Sequence, residues 1–394
     1  MKKPSLLYAS PFPPMKSGIS DYSVVLVKAL AEAFDITLYT DDYVISEPTL
    51  DGFPVLKYGS DHVDFDAFDY RIYNMGNQPD FHSYIYEAAL EHPGMVILHD
   101  FILYYLFVGY YQNQGSLYSN TYMQAGLNDF LTLKDAVRRS PVPLLAQKQM
   151  AEKLPLNREL LKSDNLFMVH SQYTYDRVLE TGLVKSSQIR KINHIALLDE
   201  EEPILAKQKL FKKYRIPKDA LVIAAFGYIA QTKLNRETAQ AVKRLSKRVN
   251  RKICYVMVGD GNYVDDLLED ELIIKTGYTE LDEFNSMVDY ADIIVNLRNP
   301  SLGETSGSML RILQKGKPCI TNNGGWFSEI PDDCVCKIGL DLIEDNIEKA
   351  IRHLTEDGDD RRRISEAAQR YVEEECGARI IRGHICAFLK SSIG

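Results

Sequence analysis

Four short stretches each join glycine and a charged side chain to the end of an apolar run, the pattern from which phosphate and sugar sites are built. They are ASPFPPMKSGISDYS (9–23), FGYIAQTKL (226–234), VGDGNYVDDL (258–267) and NLRNPSLGETSG (296–307). In the first, Gly18 opens a helix whose unpaired N–H groups and dipole can meet an anion. In the second, Gly227 turns the chain away from the preceding run, Tyr228 follows, and Lys233 can reach a phosphate as a point charge. In the third, Gly259 and Gly261 flank Asp260, which suits a tight turn that a ribose or ring approaches closely. The fourth turns at Pro300 and Gly303 and enters a helix near Thr305, so the N–H groups of Thr305, Ser306 and Gly307 form an anion site beside Glu304. Each stretch also has a plainer reading: a strand-to-helix turn, a surface lysine, a tight turn without ligand, an acid satisfying a helix dipole.

The histidines add a second set. His99 precedes Asp100 at the end of an apolar run, and His170 and His194 hold analogous positions; Asp100 and His170 are candidates for ligand contact, on the acceptor side by the resemblance given below. A lone histidine at such a place is more often structural than catalytic. There is no HxH or HxxH spacing, and the six cysteines lack paired CxxC spacing, so no metal site is expected. All six cysteines read as buried thiols, with Cys334 and Cys336 on one face of a strand. DFD (64–66) and DD (41–42) are metal-site candidates by composition only.

The elements that must position these residues follow from periodicity. Strands are expected at 5–10, 35–40, 70–75, 95–99 and 165–170, with a helix over 19–34. Residues 116–157 read as a helical insertion broken at SPVP (140–143). An acidic LDEEEP (198–203) followed by a basic run forms a linker with a short helix. Alternation then restarts with strands at 220–229, 252–259, 271–277, 292–297 and 317–321 and helices at 234–249, 280–289 and 305–315. From Asp341 onward the chain reads as helical, with breaks at DGDD and CG. The aromatic run FILYYLFVGYY (101–111) reads as core packing. Such alternation predicts an α/β protein with two doubly wound, Rossmann-like halves.

Length and composition agree with that organisation. The chain has 394 residues, 45% hydrophobic and 26% charged, which suits a globular enzyme of two domains. Its net charge of −9 argues against a general nucleic-acid binder. No basic n-region with a long apolar core opens the chain, and no apolar run is long enough to span a bilayer, so a cytoplasmic location is expected, including the inner face of the membrane.

The order of these motifs, a proline-rich glycine loop, an FG…K loop, GDG, and SxxExxG before a GxP strand, resembles glycosyltransferase family 4, nucleotide-sugar enzymes of the GT-B fold. LHD (98–100), VHS (169–171) and INH (192–194) extend the resemblance over nearly the whole chain. It implies an N-terminal acceptor domain over 1–197, completed by a C-terminal helix (376–394) that crosses back onto it. The nucleotide-sugar domain would span 198–375, the two domains facing a cleft. It further implies retaining, metal-independent transfer from a UDP- or GDP-sugar to a glycan or lipid-linked acceptor, with no cofactor and no nucleic-acid partner. Peripheral membrane association is a minority expectation, and the oligomeric state is open. By position, Gly18 matches the loop facing the diphosphate, His99 the histidine beside the donor sugar, and Lys233 the lysine neutralising the diphosphate. Glu304 matches the first acid of the E-x7-E pattern, which contacts sugar hydroxyls, and Thr305, Ser306 and Gly307 the phosphate-holding helix start. The chain departs from the pattern at Tyr228, where the family has arginine, and at Ile312, where it has the second acid. Arg298 and Arg311 are the nearby sources of replacement charge. A non-catalytic subunit binding a glycan or a partner transferase, and a GT-B epimerase or phosphorylase, are the alternatives.

Overall fold

In this computed structural model residues 2–196, 204–301 and 305–391 are described. LDEEEP (198–203) and Glu304 therefore lie outside the described residues. The chain divides into two compact units, one of Met1–Ile195, Thr305 and Ala378–Gly394, the other of Ala196–Ser301 and Ser306–Gly377. Each is built on its own parallel sheet, of seven and six strands among the described residues.

The first unit runs β1 (Ser5–Ala9), α1 (Gly18–Leu30), β2 (Asp35–Thr40), β3 (Val55–Lys57), β4 (Tyr70–Met75), α2 (Pro79–Glu91), β5 (Met95–Leu98) and α3 (Tyr104–Asn113). A helical excursion follows, α4 (Leu117–Asn120), α5 (Leu127–Arg139), α6 (Lys148–Lys153) and α7 (Arg158–Leu161). Then come β6 (Leu166–Val169), α8 (Gln172–Glu180) and β7 (Ile189–Lys191). The sheet order is β3-β2-β1-β4-β5-β6-β7, all parallel. Its central strands are buried on both faces, which is why Leu6, Leu7 and Tyr8 or Met95 to Leu98 read as unbroken apolar runs rather than alternating ones. The aromatic run is core: Phe101, Leu103, Tyr104, Leu106, Phe107 and Tyr111 are all buried.

The second unit runs α9 (Lys207–Lys213), β8 (Leu221–Phe226), α10 (Asn235–Ser246), β9 (Ile253–Val258), β10 (Ile273–Lys275), α11 (Leu281–Tyr290) and β11 (Ile293–Val295). It continues with α12 (Gly307–Gln314), β12 (Cys319–Asn322), β13 (Cys336–Ile338), α13 (Ile343–Glu356) and α14 (Gly358–Glu375). The order β10-β9-β8-β11-β12-β13 repeats the doubly wound plan. The last helix, α15 (Ala378–Lys390), belongs to the first unit and packs on α1, with Ile381, Ile385, Phe388 and Leu389 buried. Arg382 pairs there with Glu32 at 2.5 Å, and the Arg190 guanidinium lies 5.2 Å from the Phe388 ring.

Three strands escape the periodicity reading: β3, β7 and β13 are edge strands of three residues, too short and too exposed to carry a pattern. Two further expectations change. Cys334 precedes β13 instead of sharing its face with Cys336, and Cys336 and Cys386 are half-buried while the other four thiols are buried. The helix expected near Thr305 begins at Gly307, because the Ser306 side chain accepts from the Met309 N–H and so takes the capping position.

Candidate active site

In an open doubly wound sheet, ligands meet the loops beyond the carboxyl ends of the strands where the strand order reverses. That point lies between β1 and β4 in the first unit and between β8 and β11 in the second. Each unit's predicted residues gather near its own switch point.

In the first unit, α1 starts at Gly18 behind Ser17, whose hydroxyl accepts from the Ser20 N–H at 3.1 Å. A Cβ added at Gly18 would meet nothing within 4 Å, so the protein's own packing does not require glycine there. One turn on, the Tyr22 ring is wholly buried among three imidazoles, with ring centres 4.7 Å from His99, 5.3 Å from His170 and 4.7 Å from His194. These histidines follow β5, β6 and β7. Asn74 of β4 ties the strand ends together: its side-chain amide N–H donates to the Ala9 carbonyl at 3.2 Å, and its Oδ1 lies 3.2 Å from His99 Nε2. The His82 Nδ1–H donates to the Asn74 backbone carbonyl, the His170 Nδ1–H to that of Ile192 at 2.9 Å. A Cβ at Gly76 would sit 2.5 Å from the tip of Ile19 and 2.7 Å from His82 Nε2, so a side chain there would have to displace them.

Burial sets the electrostatics of this cluster. Burial, reinforced by the neighbouring His170 and His194 imidazoles, holds His99 well below the ordinary histidine range. Burial takes His170 and His82 down to about 4, each partly offset by its backbone acceptor. Burial pushes the Tyr22 phenol well up. Asp100 accepts from the Asn77 N–H at 3.1 Å, while Asn77 Oδ1 accepts from the first N–H groups of α3. Its carboxylate thus anchors a loop.

In the second unit the loops after β8 and β9 continue to pair past the sheet. The Gly227 N–H donates to Val258 and the Ile229 N–H to Asp260, at 2.9 and 2.7 Å. This approach leaves no room for side chains: a Cβ on Gly259 would fall 2.1 Å from the Gly227 oxygen, and one on Gly261 2.4 Å from that of Ile229. Asp260 is exposed and accepts from the Gly261 N–H. Lys233 folds back over Gly227, its Nζ 2.5 Å from the Phe226 carbonyl at the end of β8. Tyr228 points outward, 66% exposed.

The same loop is held on its other side by the segment after β11. The Asn299 N–H donates to the Thr232 carbonyl at 2.7 Å and Arg298 reaches the Thr232 hydroxyl at 3.3 Å. Arg298 is fixed in turn by Asn322 at the end of β12. The α12 N-terminus presents the N–H groups of Gly307 and Ser308, with Thr305 half-buried just before the Ser306 cap. Arg311, on α12, is buried against Asn285 of α11.

The fold therefore brings Gly18, His99 and His170 into one neighbourhood, and Gly227, Lys233, Gly259 and Asp260 into another. Arg311 is engaged with a neighbouring helix. Asn74, Tyr22, Thr232 and Asn322 were not singled out from the sequence. An asparagine inside the apolar strand YRIYNM was the available signal for the first, since a buried amide needs partners. Among the described residues no group of three or more His, Cys, Asp or Glu could hold a metal ion, and no helix is long and apolar enough to cross a membrane.

No protein-family model and no curated protein matches the chain. Solved structures do. HepE from Anabaena, crystallised with UDP-glucose, superposes with a TM-score of 0.65 at 13% identity, covering 98% of this chain and 100% of that one. A glycosyltransferase from Rickettsia africae gives 0.65 at 15% identity, covering 99% of each. An enzyme of Listeria monocytogenes assigned as a UDP-N-acetylglucosamine 2-epimerase gives 0.56 at 13% identity, covering 100% and 97%. At such identities the likeness establishes the fold, and over its whole length the chain has the GT-B fold of glycosyltransferases.

Proposed function

We propose that the chain is a retaining glycosyltransferase of the family 4 type, moving a sugar from a nucleoside diphosphate sugar to a hydroxyl of a glycan or lipid-linked acceptor without a metal ion. The observation that carries this reading is Lys233, an ammonium laid over Gly227 at the switch point of the second sheet and braced by loops on both sides. As the bond from the sugar to the diphosphate breaks, negative charge grows on the leaving group. Lys233 and the N–H groups at the start of α12 stabilise that charge, an electrostatic contribution that needs no rearrangement because the groups are already in place. Glu304 orients the sugar through its hydroxyls, and His99 completes that recognition.

The first unit suits the acceptor. At its strand ends the half-buried His99 imidazole, held well below the ordinary histidine range, lies against the buried rings of Tyr22, His170 and His194, a setting that fits an uncharged polyol. UDP-sugar is the favoured donor, since HepE was crystallised with UDP-glucose in the same fold. Donor hydrolysis or transfer measured in Lys233→Ala and Glu304→Ala tests the assignment, and unchanged rates in both would sink it. The similarity to the Listeria enzyme keeps epimerisation as a second reading. Product formed from the nucleotide sugar with no acceptor present would favour it, and anomer analysis by NMR checks retention.

A further inference from the structure

The four histidines near the first switch point do not share one tautomer. In His82, His170 and His194 the Nδ1 faces a backbone carbonyl, at 3.1, 2.9 and 2.8 Å. A carbonyl only accepts, so each of these rings carries its proton on Nδ1. His99 differs because its partner is a side-chain amide. The Asn74 NH2 must face Ala9, again a carbonyl, which leaves Oδ1 toward His99. An amide oxygen also only accepts, so His99 carries its proton on Nε2 and its Nδ1 keeps a lone pair. Among the described residues no hydrogen bond to that Nδ1 is seen, and His99 is only half-buried.

We propose that Asn74 is a positioning residue that locks His99 in the Nε2–H tautomer and so presents Nδ1 as an acceptor for a sugar hydroxyl. The amide sits inside β4, wholly buried, with Ala9 on one neighbouring strand and His99 at the end of the other. A tautomer set by three strand ends costs no reorganisation when ligand arrives, and a lone pair recognises an O–H donor where an N–H would repel it. The groups facing His99 are Tyr22 from α1, His82 from α2, and His170 and His194 from the segments after β6 and β7. None supplies a carboxylate, so nothing among them favours the imidazolium. The identity of the hydroxyl rests on the glycosyl-transfer reading; the tautomer does not.

Long-range 1H–15N NMR on histidine-labelled full-length protein at neutral pH reads this directly, with His99 assigned by its loss in His99→Gln. The expected wild-type spectrum shows His99 as Nε2–H and His170 as Nδ1–H. Asn74→Asp should place a carboxylate beside the ring, making His99 an imidazolium at neutral pH and moving the activity profile toward alkaline pH. Asn74→Leu should give a tautomer mixture. UDP-glucose shifting His99 15Nδ1 where UDP does not assigns the hydroxyl to the donor; methyl glucoside doing so assigns it to the acceptor. A wild-type Nδ1–H or protonated His99 overturns the proposal even if neither Asn74 variant folds, as does a resonance that no sugar moves. Wild-type protein with the expected tautomer but no nucleotide binding would instead overturn the reading of the reaction.

Discussion

The carboxyl ends of the two sheets have the same topology and opposite chemistry. In the first unit they are lined by His99, His170 and His194, a buried tyrosine and an asparagine, with His99 and His170 held below the ordinary histidine range by burial. In the second they are lined by Gly259 and Gly261, packed too closely for any side chain, with Lys233 held by the Phe226 carbonyl and Arg298 by the Thr232 hydroxyl. A glycine-lined turn lets backbone and ammonium meet a polyanion at short range. A neutral imidazole offers directional hydrogen bonds without charge. The contrast teaches that one scaffold, used twice, can carry two chemistries, which the proposed function assigns to a charged nucleotide and to uncharged hydroxyls.

Acid should break the comparison most strongly. His170 and His82 titrate near 4 when folded, whereas an unfolded chain binds these protons near 6.5. Between those values the unfolded state holds more protons, so stability is complete above about 6.5 and is lost as pH falls toward 4, by about 3 kcal/mol per histidine. The single tryptophan, Trp326, is buried in the second unit and makes the two units separable. From pH 7 to 5, melting followed by far-UV circular dichroism should lose its first-unit component at lower temperature, while Trp326 fluorescence shifts less.

Gly259→Ala attacks the other side. Its Cβ would lie 2.1 Å from a backbone oxygen, so we expect about 3 kcal/mol of destabilisation, visible as an earlier Trp326 transition in urea. Lys233→Ala should leave that transition nearly unchanged and weaken UDP binding by about 2 kcal/mol, or about thirtyfold, in calorimetry. Arg382→Ala removes an ion pair with the exposed Glu32, so a cost under about 1 kcal/mol, lessened by salt, is expected in thermal melts.

What was legible in the sequence follows from what each feature depends on. Strands covered on both faces, such as LVIAAF and ICYVMV, announce themselves by composition alone. Edge strands such as β3 and β13 do not, because only pairing with a neighbour defines them. Lys233 and the glycines were readable because turn chemistry is local. Asn74 and Thr232 were not, because their partners are 65 and 67 residues away or lie on strands whose adjacency the topology decides. The capping serine at 306 moved a helix start by two residues, the ordinary scale of such competition.

The most direct test is calorimetric titration of the full-length protein with UDP-glucose, UDP, GDP, ADP and TDP, repeated on folded Lys233→Ala. The account predicts one site for a nucleoside diphosphate and its sugar, weakened about thirtyfold in the variant. Binding of none of these ligands, or affinity unaltered by the loss of Lys233, would contradict it.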